Sequence, residues 1–577
     1  MAVYQDLDWL FAVVVKHSSL SFAQDAANSY ATSVSSRSLT LIQAGILATI
    51  TEFIGAITLG QQVTSTIRSG VFSIDRFLDS PGVLIMAIVV AEVGSSIWLT
   101  VCTYLGFPVS TTQSIVGALI GVAIAAELPV HWGWKSQSVS QIAASWGIAP
   151  LISAAFGAVI FTSIRLLVHS REDPMKWALR VLPFYYAITA AILALFIVIS
   201  GGHGIPKLED LGAGKACGII IGVFAGVWVI SAIFFVPYYW RSLKDNYTLY
   251  LPGNPDKGIV PNYYESDLKG ETDTLRSGSA TEGQESTLAT PEIEPLKGDP
   301  SAAENDARRA DAKIAEKHQK EPQALDTLPW IHPKRTFATL KLVLTYGITR
   351  DVIHHQSRGL DPIHQHAPVF GNRVEHLWTT AQVCSAMIMS ISHGANDVSN
   401  AIVPFTTEYM TWNSGETSTK TDTPIWIKAV GGLGLGFGFW TFGYHIMRSL
   451  GNRITKHSPT RGYSAELAAA LTVLLASRLG LPVSTTQCIT GAVVGVALVN
   501  MDLKSINWKQ LGKIFFGWVL TLPCAGLISG IIMGMALNVP TWGRWMDEWF
   551  ERVAKHWIAV MLYVVFHLRP LHACFLL

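Results

Sequence analysis

The stretch His393-Gly394-Ala395-Asn396-Asp397-Val398-Ser399-Asn400-Ala401 sets one carboxylate and two carboxamides inside a strongly apolar run. An ionisable group at membrane depth costs several kcal/mol, so it belongs on a pathway rather than against lipid. On a helix, Asp397 and Asn400 lie three residues apart and Asn396 and Asn400 four, so their polar tips share one face. Gly394 there allows either close backbone approach or local unwinding. A patch near the amino end, Asp25-Ala26-Ala27-Asn28-Ser29, repeats the Asp to Asn spacing. The plainer alternative for either patch is a polar seam joining two helices.

Two further stretches suit the opposite charge. Gly106-Phe107-Pro108-Val109-Ser110-Thr111-Thr112-Gln113 and Gly480-Leu481-Pro482-Val483-Ser484-Thr485-Thr486-Gln487 each open a short apolar run. Proline disfavours helix just before it and serine is a good N-cap, so the pattern predicts helices starting at Ser110 and Ser484. Such a start offers unpaired N–H groups and the positive end of the helix dipole to an anion. The hydroxyls of Ser110, Thr111 and Thr112, and of Ser484, Thr485 and Thr486, add donors suited to a tetrahedral oxyanion. Asp25 and Asp397 have the wrong sign for that ligand, so repulsion must be cancelled by a cation or by protonation. That requirement couples the two ligands, because the anion binds well only with Na⁺ or H⁺ in place. Asn28, Asn400, Gln113 and Gln487 offer the hard oxygen ligands that Na⁺ accepts. Glu52, Glu92 and Glu466 are further cation candidates, each equally readable as a satisfied interhelical carboxyl.

The elements that must position these groups lie in a membrane. The chain of 577 residues is 50% hydrophobic and 14% charged, with a mean hydropathy of +0.35, which makes it an all-α polytopic membrane protein. A net charge of +1 argues against nucleic acid as a partner. The six cysteines are scattered without metal spacing, and Asp6 and Asp8 speak against a cleaved signal peptide. Apolar runs predict spans at about 38–60, 83–105, 142–168, 180–200, 215–238, 426–447, 463–479, 511–538 and 556–577. Between the halves, residues 251–328 read as a disordered linker, and 337–353 as a helix lying on the membrane surface. From Arg241 to His376 the chain holds 17 of its 42 Lys and Arg residues, which places this loop in the cytosol.

The halves repeat one another. A shift of 374 residues lays Gly106 to Ala123 over Gly480 to Ala497 with 13 identities in 18, and puts Glu92 on Glu466. A shift of 372 puts Asp25 on Asp397 and Asn28 on Asn400. Duplicated membrane units with Gly- and Pro-marked segments in matching places point to a secondary transporter, often with inverted repeats and a substrate near the midplane. The expected domains are a membrane half at 1–240, a cytosolic loop at 241–375, a second half at 376–540 and an atypical tail at 541–577.

At these residues the chain resembles the inorganic phosphate transporter family, most of all its fungal sodium/phosphate symporters. Gly394 to Ala401 matches the family's GANDVANA-type signature with Ser399 as the one change, and Pro108 to Thr112 and Pro482 to Thr486 match its PVSTT-type segments. The resemblance implies two inverted repeats with discontinuous or re-entrant helices, about 10–12 membrane segments, and a homodimer in the plasma membrane. It implies phosphate between Ser110, Thr111, Thr112 and Ser484, Thr485, Thr486. Asp25, Asn28, Asn396, Asp397 and Asn400 would serve cations and part of the anion site, with no cofactor beyond co-transported Na⁺ or H⁺. The first copy departs from the signature, reading Phe22-Ala23-Gln24-Asp25 after a short apolar run interrupted by Lys16 and His17. The expectation is therefore an altered exon boundary across residues 14–24, and in the tail after about 540, with weak or absent transport.

The reading is a symporter that couples phosphate uptake to Na⁺ or H⁺ by alternating access. Its rivals are a carrier of sulfate or another tetrahedral oxyanion, and a phosphate sensor that binds without transporting. No Ser-His-Asp arrangement, P-loop or metal cluster favours an enzyme.

Overall fold

The computed structural model describes residues 26–59, 71–72, 74–77, 80–134, 138–200, 211–245, 263, 361–414 and 423–538. Asp25, the atypical stretch before it, the surface helix expected at 337–353, the span expected at 556–577 and nearly all of the linker lie outside these residues.

All regular structure among the described residues is helical. A 3₁₀ turn, Ala26–Ser29, leads into the short α1, Ala31–Ser35. The first half continues with α2 (Leu41–Leu59), α3 (Pro81–Leu105), α4 (Thr111–Ala125), α5 (Val139–Ile164), α6 (Pro174–Ser200), α7 (Ala213–Ile230) and α8 (Val236–Asp245). After the one-turn α9 (Asp361–His364) come α10 (Asn372–Ser414), α11 (Ile425–Leu450), α12 (Pro459–Arg478), α13 (Thr485–Leu498) and α14 (Trp508–Asn538). Six of the described helices are long and apolar enough to cross a bilayer. The helices α4 and α13, of 15 and 14 residues, rise only about 22 Å, short of a hydrocarbon core of about 30 Å. They are the short apolar runs that the sequence places after Ser110 and Ser484.

Matching turns set both short helices in place. The preceding helices, α3 and α12, end on Gly106 (φ 71°) and Gly480 (φ 65°), left-handed positions that glycine reaches without steric cost. Each turn closes with the same bond pair. The N–H groups of Gly106 and Phe107 donate to Thr103 and Cys102, and those of Gly480 and Leu481 to Ser477 and Ala476. The chain then passes a proline and restarts as helix.

Small residues let the short helices sit deep. On α4, a Cβ at Gly121 would lie 1.9 Å from the Gly526 carbonyl oxygen of α14. On α13, a Cβ at Gly495 would lie 2.1 Å from that of Ala154 on α5. Each short helix thus backs onto a long helix of the other half, as small-residue packing allows.

The central helix is α10, 43 residues long and buried through most of its length. It packs against α2, α3, α6 and α12. Its helical ladder runs unbroken through Gly394, so the glycine serves close approach: a Cβ there would lie 2.5 Å from the Glu52 carbonyl oxygen on α2. Tyr263, from the stretch read as an unstructured linker, is buried at 3% exposure. Its N–H donates to Asn372 Oδ1 at 3.0 Å, and its hydroxyl lies 2.7 Å from His376 Nδ1.

Candidate functional site

Both short helices begin in the same way. Ser110 and Ser484 have extended backbones and accept the N–H of Gln113 at 3.2 Å and of Gln487 at 3.3 Å. These are N-cap bonds, and each leaves the other first-turn N–H groups directed outward. The two starts adjoin. Thr112 Oγ1 donates to the Val483 carbonyl at 3.4 Å, and Thr486 Oγ1 to the Val109 carbonyl at 3.5 Å. Residue i of one copy thus meets residue j of the other, and j meets i, the signature of a two-fold relation.

The asparagines continue the exchange. Asn28 Nδ2 donates to Thr486 Oγ1 at 2.7 Å, while Asn400 Nδ2 donates to Thr111 Oγ1 at 3.1 Å and Thr112 Oγ1 at 3.0 Å. Asn396 Nδ2 donates to Asp397 Oδ1 at 2.7 Å and to the Val483 carbonyl at 2.9 Å. Thr485 Oγ1 donates to Asp397 Oδ2. Every one of these side chains is at most 5% exposed.

The asparagine nitrogens are used, but several amide oxygens nearby in sequence are not. Asn28 Oδ1, Asn396 Oδ1, Asn400 Oδ1, Gln113 Oε1 and Gln487 Oε1 are buried without a donor among the described residues. Buried acceptors left unpaired cost roughly 1–3 kcal/mol each. Amide oxygens and carboxylates are the donors that a hard cation takes. The two helix starts supply positive partial charge a few atoms away. One buried locus therefore offers features for both a cation and an anion.

The three glutamates sit on three different helices, α2, α3 and α12. On α2, Glu52 accepts from Ser29 and Ser390 at Oε1 (3.3 and 2.8 Å), and its Oε2 lies 2.8 Å from His393 Nδ1. The other ring nitrogen, His393 Nε2, is 3.1 Å from Asp397 Oδ2, at an angle that makes no hydrogen bond. Glu52 thus reaches the locus through His393. On α12, Glu466 accepts from Thr32, Ser33 and Gln382 at Oε1 (2.6, 2.6 and 3.1 Å) and from Ser385 at Oε2 (2.6 Å). On α3, Glu92 is buried at 1% exposure.

Sequence reasoning quoted His393 within its central motif and gave it no role. Its signal was the four-residue step to Asp397 on one helix face. Ser390 lies three residues before His393, on that face too.

Comparison with known proteins follows the same residues. A model of the phosphate transporter family matches residues 23–529. The phosphate-repressible phosphate permease pho-4 of Neurospora crassa is 36% identical, over 94% of this chain and 99% of its own. A sodium-dependent phosphate transporter, 1-A, of Danio rerio is 30% identical over 89% of this chain and 91% of its own. Among solved structures, one titled "The sodium-dependent phosphate transporter" shares the fold, with a TM-score of 0.62 at 22% identity, over 92% of this chain and all of the other.

Proposed function

This chain belongs to the phosphate transporter family, and from that premise we propose a secondary active symporter that moves inorganic phosphate together with Na⁺, or H⁺, by alternating access. The observation that carries the reading is the reciprocal pairing of each Ser-Thr-Thr helix start with the asparagine of the opposite copy, Asn28 with Thr486 and Asn400 with Thr111 and Thr112.

In this reading phosphate lies between the α4 and α13 starts. First-turn N–H groups and the hydroxyls of Ser110, Thr111, Thr112, Ser484, Thr485 and Thr486 then replace its water. A bare Asp397 carboxylate at that distance repels the anion, and a cation held by Asp397 and the free oxygens of Asn28, Asn396, Asn400, Gln113 and Gln487 removes the repulsion. Asp25, one residue before the described segment, fits the same role in the first copy. Phosphate affinity thus depends on cation occupancy, and by linkage cation affinity depends on phosphate.

Alternating access follows if the two-fold axis lies in the membrane plane, so that the halves at 1–240 and 376–540 are inverted and rock about the shared centre. The names of the relatives support Na⁺ as the coupling ion and phosphate over sulfate. The basic content of residues 241–375 supports a cytosolic loop and a plasma-membrane orientation. Lipid-facing apolar surface supports a bilayer environment, with a homodimer as the assembled form.

The test is labelled phosphate uptake in cells or proteoliposomes with Na⁺ replaced by choline across a range of pH, with and without excess sulfate. Expected are uptake that collapses in choline at neutral pH and indifference to sulfate. Equal competition by sulfate would overturn the anion assignment. Binding of phosphate without accumulation would replace transport by sensing.

A further inference from the structure

Beside the C-terminal half of α13, the end remote from Ser484, a groove of about 660 Å³ runs between α5 and α13. Ala154, Ala158 and Thr162 line it from α5, and Gly495 and Leu498 from α13. The two backbones touch at Gly495 and Ala154. The volume falls in the range of roughly 300–1,000 Å³ that small-molecule sites occupy. The groove is open along one side, where Ala155, Leu166 and Leu498 on its walls are exposed. On a helix that spans a bilayer, such a wall faces hydrocarbon.

The depth of the groove matches one leaflet. The span Val139–His169 has 31 residues, and Ala154 stands at its midpoint. From Ala154 to Arg165 the helix rises about 16 Å, close to half of a hydrocarbon core of about 30 Å. The groove therefore runs from mid-membrane towards one face, the course of an acyl chain. Arg165, which lines its far end, falls where hydrocarbon gives way to headgroups. Phe370, at the end of the basic loop 241–375, stacks on His169 with ring centroids 3.8 Å apart. The mouth of the groove is thus on the loop's side of the membrane. With that loop in the cytosol, as proposed above, the mouth meets the leaflet that carries anionic lipid.

The charge at the mouth suits a phosphate. Arg165 is half-buried, and its Nη1 donates to the Val499 carbonyl at 2.7 Å. Among the described residues that bond uses one of the guanidinium's five N–H groups, and no carboxylate lies within ion-pairing reach of Arg165. Ser170, which also lines the groove, adds a hydroxyl. Arg171, Lys176 and Arg180 follow in the chain, against Glu172 and Asp173, so this end is net positive. We propose that the groove binds one anionic phospholipid, with an acyl chain along α5 and the headgroup phosphate on Arg165 and Ser170. Hydrocarbon for the walls and an acceptor for the guanidinium are supplied together by a single such molecule.

The test measures binding and no uptake, so its failure and that of the transport reading stay distinct. The delipidated full chain in detergent is titrated with phosphatidylserine or with phosphatidylcholine of the same chains, and bound lipid is counted by native mass spectrometry. The wild type is expected to take up one phosphatidylserine at saturation, held about fivefold more tightly than phosphatidylcholine, the worth of roughly one basic residue at an anionic surface. Arg165→Gln should abolish that preference and Arg165→Lys should keep it, while Arg180→Gln, outside the groove, should leave it unchanged. Ala155→Phe, which fills the groove from an exposed wall, should remove the bound lipid of either kind. Equal affinity for the two lipids, or a preference that survives Arg165→Gln, overturns the proposal. So does an unchanged lipid count in Ala155→Phe. Dissociation of a dimer in that variant would assign the groove to a second copy of the chain, and inorganic phosphate displacing the lipid would assign Arg165 to the free ion.

Discussion

Glu466 on α12 and Glu408 on α10 are both buried acids, yet their hydrogen bonding is opposite. Around Glu466 four side chains donate to the two carboxylate oxygens. Glu408 has no donor at either carboxylate oxygen among the described residues. A carboxylate whose lone pairs are filled by protein binds two helices together, and one without donors does not.

The comparison breaks most readily at Glu466. Glu466→Ala leaves the hydroxyls of Thr32, Ser33 and Ser385 and the Gln382 amide without their acceptor, and should cost about 3 kcal/mol or more. Thermal unfolding in detergent measures it. Glu408→Gln, measured in the same Na⁺-free buffer, should cost nothing, because it removes a charge that had no donor. Equal losses at the two positions would show that both acids are structural.

Gly394→Ala probes the third acid, Glu52, through its backbone. The added Cβ meets a carbonyl oxygen on α2, not a flexible side-chain end, so the two helices must part. Overpacking of this kind costs about 1–3 kcal/mol, partly offset by the gain of roughly 1 kcal/mol from alanine in a helix. A net loss of stability and of phosphate uptake is expected. A variant more stable than the wild type would mean that α2 and α10 are free to separate there.

The two helix starts should behave as equals. Thr112→Val and Thr486→Val each remove a hydroxyl that donates to a carbonyl of the other copy and accepts from its asparagine, and two lost bonds of about 1 kcal/mol each correspond to roughly a thirtyfold change in affinity. Half-saturating phosphate should rise by similar factors in both variants. A large effect on one side only would show that the two-fold pairing of contacts does not extend to the ligand.

Much of this arrangement was legible beforehand, because the features that carry it are local. Pro108 and Pro482, the serine caps and the short apolar runs after them predict the α4 and α13 starts to within a residue. The matched register of Asp and Asn predicts that the copies meet. What escaped notice depends on packing between distant segments. His393 is ordinary until α2 brings Glu52 beside it, and Glu408 reads as the end of a span, although the fold buries it without a donor among the described residues. Tyr263, in a stretch whose composition reads as unstructured, is anchored by Asn372 and His376 more than a hundred residues away. Hydropathy also passes over α10, which no predicted span covers, because polar residues interrupt its apolar sequence.

Asp502 marks the other limit for an acid in this fold, and the smallest expected effect. It lies in the connection between α13 and α14, exposed, with Oδ1 accepting the Lys504 N–H at 2.9 Å and Oδ2 lying 2.9 Å from His366 Nδ1. The Lys504 N–H first, and the His366 contact after it, hold its carboxyl below the usual carboxylate range. A depressed acid contributes stability that is present above its unfolded value, about 4, and is lost as pH falls through the folded value. Asp502→Asn should therefore lower the unfolding midpoint slightly at neutral pH, and the gap should close in acid. Solvent around the pair keeps the gap small. Should it persist unchanged below the carboxylate range, geometry and not charge would be the cause, and the exposed acid would join Glu466 as a structural anchor.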